Sequence, residues 1–117
     1  MKTILLAEDD DNQRLMVKEE LEEAGYRVEE ARNGREALEK LKEIEPDLIV
    51  LDIRMPEMDG IEALGHIVED RKDMPVILHT AYSNYKENFL SWSADDYVVK
   101  SSDLTALLEK INNRIGV

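Results

Sequence analysis

The chain has 117 residues, close to the commonest size for a single domain, so one compact core spanning residues 1–117 is expected. Hydrophobic residues make up 43% of it and charged residues 36%, a globular balance, and the absence of cysteine excludes disulfides, thiolate metal sites and cysteine nucleophiles. Twenty-seven acidic residues against 15 basic ones give a net charge of −12, which repels nucleic acid and lipid headgroups, and no run approaches the roughly 20 apolar residues of a bilayer span.

The N-terminal M-K-T-I-L-L-A-E-D-D-D is too briefly apolar for a signal peptide, so a soluble, cytoplasmic protein is expected. Thr3–Ala7 is the first predicted strand. An amphipathic helix over roughly Asp11–Ala24 follows, burying some of Leu15, Met16, Val17 and Leu21, with Gly25 as its C-terminal glycine. Tyr26–Glu30 is the second strand. Ala37, Leu38, Leu41 and Ile44 mark a second helix ended by Pro46, and Asp47–Leu51 is the third strand. Ile61, Leu64, Ile67 and Val68 stripe a third helix, and Pro75 introduces the fourth strand, Val76–Thr80. A fourth helix over Ser83–Ser93 has a poorly defined stripe; its Phe89 and Trp92 suit core packing better than an exposed docking face. Asp96–Val99 is the fifth strand. Leu104, Leu107, Leu108, Ile111 and Ile115 stripe the last helix, which Ser102 can cap. Strands alternating with helices predict a parallel sheet covered on both faces, with I-L-L-A and L-I-V-L as buried central strands.

In open parallel sheets ligands bind beyond the carboxyl ends of the strands. There the first strand presents Glu8, Asp9 and Asp10, the third Asp52, the fourth Thr80 and the fifth Lys100. Pro56 stops the third strand from continuing and leaves Asp52 at a fixed lip. Crowded carboxylates repel one another or demand a cation, and Mg²⁺ suits one or two carboxylates while keeping waters for a phosphate oxygen. The alternate-residue spacing of a calcium loop is absent. With a cation in place, Asp52 can attack phosphorus to form an acyl phosphate, Lys100 can offset charge on the phosphoryl oxygens, and Thr80 can donate a hydrogen bond to one of them. His66 and His79 lack a partner spacing and are read as structural, and the run Glu19, Glu20, Glu22, Glu23 as a solvated helix face.

The pieces I-L-L-A-E-D-D, L-D-I-R-M-P-E-M-D-G, H-T-A and A-D-D-Y-V-V-K, in this order over the whole chain, resemble the receiver domains of bacterial two-component response regulators. The resemblance implies a flavodoxin-like, doubly wound α/β sandwich with strand order 2-1-3-4-5 and five helices. It implies Asp52 as phosphoacceptor, Asp9 as the direct Mg²⁺ ligand with Glu8 acting through water, and the Arg54 backbone carbonyl as a further ligand. Thr80 resembles the switch hydroxyl, Lys100 the phosphate-pairing lysine and Tyr97 the switch aromatic. The donor would be a phosphohistidine on a sensor histidine kinase or phosphotransfer protein, with the domain catalysing its own phosphorylation and slow dephosphorylation. An output domain or effector, and a phosphorylation-dependent homodimer, are further partners the resemblance implies; direct nucleic-acid or membrane binding is not expected.

Three features depart from the family pattern. Serine, not proline, follows Lys100; either the Lys100–Ser101 bond is cis despite a cost of about 2.5–4 kcal/mol, or it is trans and Lys100 points differently. The Thr80–Tyr97 segment is shorter than usual, with Ser93 where glycine commonly sits. Large residues, Arg54 and Tyr82, occupy the two positions that tune water access to the acyl phosphate, so a long-lived phosphorylated state is expected. The competing reading is a degenerate receiver-like module that binds partners without phosphorylation. A flavodoxin-like cofactor binder is discounted because four acids replace the phosphate loop it needs after the first strand.

Overall fold

Five short strands lie side by side, all parallel, and the central three are rich in valine, isoleucine and leucine. A computed structural model of the chain describes residues 1–82 and 93–116. The strands are β1 (Thr3–Ala7), β2 (Arg27–Ala31), β3 (Leu48–Leu51), β4 (Val76–Thr80) and β5 (Asp96–Val99), in the order β2-β1-β3-β4-β5. Among the described residues the helices are α1 (Asp11–Glu23), α2 (Gly34–Leu41), α3 (Gly60–Asp70) and α4 (Thr105–Ile115). The fifth expected helix, Ser83–Ser93, falls outside the described residues except for Ser93, and so do Phe89 and Trp92. No described helix is long and apolar enough to cross a membrane.

Side chains alternate across the pleat, so each strand feeds two cores. Leu5, Ala7, Ile49, Leu51 and Leu78 pack with Ala37, Leu41, Ala63, Leu64 and Ile67 of α2 and α3. Ile4, Leu6, Leu48, Val50 and Ile77 pack with Val17, Leu21, Leu107 and Ile111 of α1 and α4 on the opposite face. Of the four candidates on α1 only Val17 and Leu21 are buried, whereas Leu15 and Met16 are exposed. The register sets Ala7 beside both Ala31 and Leu51, and Thr80 beside Val99, which brings the carboxyl ends of the strands to one edge.

The boundaries differ from expectation where backbone groups found other partners. Tyr26 belongs to the end of α1: its N–H donates to Leu21 O at 3.0 Å and that of Gly25 to Glu22 O at 3.0 Å, a paired closure with Gly25 at φ +100°. Strand β2 therefore runs one residue later, through Ala31. Asp47 precedes β3, its carboxylate accepting from Thr3 N–H at 2.7 Å. Helix α2 ends at Leu41, a turn before Pro46. Ser102 does not cap α4; the Asp103 carboxylate accepts the Thr105 N–H at 2.9 Å instead, because only it reaches the first free amide.

Gly25 alone among the glycines holds a positive φ, in the left-handed region that a Cβ penalises. Gly25→Ala should lower unfolding free energy by about 1 kcal/mol, measured by urea denaturation, and leave the carboxyl-edge chemistry unchanged because Gly25 lies at the other end of α1.

Candidate functional site

Asp52 follows the fully buried L-I-V-L of β3, and its N–H still donates to Ala7 O at 3.1 Å. Beyond it the chain turns sharply: Met58 N–H donates to Pro56 O at 2.8 Å across Glu57, whose φ is +65°. Met58 O in turn accepts from Gly34 N–H at 2.8 Å, and Gly60 N–H donates to Ile53 O at 2.8 Å. A Cβ on Gly60 would lie 1.9 Å from Asp52 O, so only hydrogen fits there. The Asp59 carboxylate caps α3 immediately before that contact. Loop and helix thus brace the backbone that carries Asp52, which is itself only 6% exposed.

The run of four acids after β1 divides its labour. Asp10 caps α1 by accepting Gln13 N–H at 3.0 Å, and Asp11 pairs with Arg14 at 2.6 Å. Arg14 also donates to Glu8 O at 2.8 Å and Glu30 Oε1 at 3.1 Å, tying α1 and β2 to the end of β1. That leaves Glu8 and Asp9, which offer carboxylate oxygens within 4.8 Å of one another and of Asp52. Lys100 closes the cluster. Its Nζ donates to Asp52 Oδ2 at 2.9 Å, to Glu8 Oε1, and to Gln13 Oε1 at 2.6 Å. The other Asp52 oxygen accepts Ile53 N–H at 2.7 Å.

No peptide bond among the described residues is cis, so the Lys100–Ser101 bond is trans, and Lys100 nonetheless enters the site. Its backbone N–H donates to Thr80 O at 2.7 Å, which anchors the end of β5. The Ser101 hydroxyl then bridges to Asp103, donating to its carbonyl at 2.8 Å and accepting its N–H at 3.1 Å. A local polar turn stands where the resemblance led to the expectation of a proline ring.

Thr80 is fully buried, and its hydroxyl oxygen accepts the Tyr82 N–H at a long 3.4 Å. The Tyr97 ring is buried, and its hydroxyl donates to the Tyr82 carbonyl. Over the exposed Tyr82 ring stands the Arg54 guanidinium, 4.8 Å from the centroid, a cation–π contact. Residue 82 thereby touches Thr80, Tyr97 and Arg54. Gln13 carries no motif and was not singled out in the sequence; its one signal is its place in the first turn after β1.

The model of the response regulator receiver domain matches residues 4–112. The chain belongs to that family. This receiver is similar to the chemotaxis protein CheY of Thermotoga maritima, at 36% identity over 95% of each chain. It is also similar to the regulatory protein AtoC of Escherichia coli, at 42% identity over 89% of this chain but only 23% of AtoC. Among solved structures it resembles the response regulator TrrA of Thermotoga maritima in complex with Mg²⁺–BeF, at 46% identity and TM-score 0.94, covering 98% of this chain and 100% of that one. The histidine kinase ThkA in complex with TrrA gives a match at TM-score 0.91, with 46% identity over 98% of this chain and 99% of the matched one.

Charge in the receiver's site is unbalanced: among the described residues three carboxylates face one ammonium. Burial, the largest cause, together with the Asp52 charge raises the Glu8 pKa, against the Lys100 and Asp10 hydrogen bonds that lower it. Burial would lower Lys100, but its bonds to Glu8 and Asp52 outweigh that and leave its pKa raised. An oxygen-only donor set with two surplus negative charges fits a hard dication.

His66 is exposed on α3, whereas His79 on β4 is buried toward α1 and α4. His79 borders a cavity of about 300 Å³ with Met16, Val17, Lys100 and Leu104. Burial first and Lys100 second depress its pKa from 6.5 to about 4. Between those values the unfolded chain takes up a proton that the folded one refuses, so stability falls as pH drops through the window. The full loss is about 3 kcal/mol. Urea unfolding of His79→Leu should show a shallower decline from pH 6.5 to 4.5; an unchanged slope would assign the acid sensitivity elsewhere.

Proposed function

We propose that residues 1–117 form one receiver domain that takes a phosphoryl group onto Asp52 from a phosphohistidine of a sensor histidine kinase or phosphotransfer protein. One observation carries this reading: the Asp52 carboxylate is buried at the sheet's carboxyl edge, with Lys100 Nζ at 2.9 Å and the oxygens of Glu8 and Asp9 within 4.8 Å. The similarity to TrrA, solved with Mg²⁺–BeF and with a histidine kinase, supports it.

An Asp52 oxygen attacks phosphorus while the phosphorus–nitrogen bond of the donor breaks, its electron pair staying on the imidazole. Mg²⁺, held by Asp9, Asp52 and the Arg54 carbonyl with Glu8 reaching through water, would neutralise charge on the phosphoryl oxygens. Lys100 leaves its carboxylate partners for a phosphoryl oxygen, and the Thr80 hydroxyl turns to donate to another. Thr80 gives up little by turning, since its bond to Tyr82 N–H is long. The Tyr82 amide that Thr80 accepts and the Tyr97 hydroxyl on the same residue's carbonyl link that motion to Tyr97, the switch aromatic. Water attack on the acyl phosphate later restores the Asp52 carboxylate and releases inorganic phosphate. The stacked Arg54 and Tyr82 narrow the path of that water.

The domain works in the cytoplasm, and its phosphorylated face controls an effector, an output domain or a second copy of itself. The chain spans only 23% of the length of the regulatory protein AtoC. The reading as a degenerate interaction module drew on the Ser101 junction and on the short fourth helix; Lys100 seated against Asp52 speaks against the first, and the second lies outside the described residues.

Incubation with Mg²⁺ and acetyl phosphate should add one phosphoryl group, read by intact mass. The adduct should be absent in Asp52→Asn and after chelation of Mg²⁺; an adduct that persists in Asp52→Asn would refute the assignment. Replacing both Arg54 and Tyr82 by alanine should speed loss of the adduct about tenfold, followed by mass over time, which corresponds to about 1.4 kcal/mol of barrier.

A further inference from the structure

Gln13 lies in the first turn of α1, over the solvent side of Lys100, whose side chain is partly buried. Its Oε1 accepts from Lys100 Nζ at 2.6 Å. An ammonium has three donors, and here three oxygens take them: Glu8, Asp52 and Gln13. The first two belong to the carboxylate cluster that a cation and a phosphoryl group would engage. Gln13 is neutral and stands outside that cluster, so its bond to Lys100 survives when the carboxylates find other partners. The need for such a bond comes from the next residue. Ser101 has the backbone freedom that a proline ring would remove, so the direction of the lysine is set by its contacts.

We propose that Gln13 is a positioning residue for phosphoryl transfer, its amide oxygen keeping the Lys100 ammonium aimed at the Asp52 carboxylate. This rests on Lys100 acting as the phosphoryl-pairing group. A surface glutamine bond of no consequence is the competing account, since exposed hydrogen bonds between flexible side chains contribute little.

The test compares the native protein with Gln13→Met, which keeps length and helix propensity but lacks a strong acceptor, and Gln13→Glu, which keeps the acceptor. The Lys100 ammonium resonance, assigned by its loss in Lys100→Met, is followed by ¹H–¹⁵N NMR in metal-free protein. Its protons should exchange with water about fivefold faster in Gln13→Met and at the native rate in Gln13→Glu, as the loss of one charge-assisted bond predicts. With Mg²⁺ and acetyl phosphate, phosphorylation of Gln13→Met should be slowed about fivefold at an unchanged thermal midpoint. Unchanged exchange overturns the proposal, and so does faster exchange with an unchanged phosphorylation rate. Native protein that takes no phosphoryl group overturns the phosphoacceptor reading and this proposal together, and is recognised before any substitution at residue 13.

Discussion

The mutual repulsion of Glu8, Asp9 and Asp52, whose oxygens lie within 4.8 Å of one another and are answered by Lys100, is the constraint on which the rest of the molecule depends. Glu8 and Asp52 are buried while Asp9 is exposed, and like charges crowded in this way disfavour folding, so neighbouring elements must hold them in place. Arg14 grips the Glu8 carbonyl, the sheet register fixes Ala7 against Leu51, and the Gly60 contact pins the Asp52 carbonyl. Two hydrophobic cores, one on each face of the sheet, supply the cohesion against which this strain is stored. The same repulsion makes the site attractive to a dication and an incoming phosphoryl group, because each new partner relieves it.

Lysine placement shows how one geometric demand can be met by different local chemistry. A ring after the lysine would set the backbone directly. Here the Lys100 amide bonds to Thr80, Ser101 makes a reciprocal turn with Asp103, and the side chain ends among three oxygens. Direction that could have been built into one residue is distributed over contacts from β4, α1 and the loop before α4.

The sheet was legible because buried parallel strands leave near-continuous apolar runs, its strand order came from the family resemblance, and the acids, threonine and lysine follow from where the strands stop. Glu8, Asp9, Asp52, Thr80 and Lys100 therefore came from one rule about strand ends. What escaped the pattern was decided by competition among groups of similar chemistry. Asp103 rather than Ser102 reaches the free amide of α4, and Asp47 spends itself on Thr3 rather than entering β3. Tyr26 goes to the closure of α1 because Gly25 lets the chain reverse there. The sign of Lys100's contribution was readable, but its aim was not: a trans bond with serine permits many directions, and the one adopted depends on Gln13, 87 residues away.

Among the described residues strand β5 pairs with β4 alone and forms one border of the sheet. It also delivers the ammonium that offsets part of the carboxylates' charge. The counter-charge of the site thus follows a border strand, paired on one side among the described residues, whereas Asp52 and Glu8 follow strands enclosed on both sides. Any molecule that grips that outer flank and displaces Lys100 by a fraction of an ångström changes the electrostatic work of placing a phosphoryl group on Asp52. Thermodynamic reciprocity then requires the phosphoryl group to change that molecule's affinity by the same factor, so communication between border and centre needs no relay beyond four residues of strand.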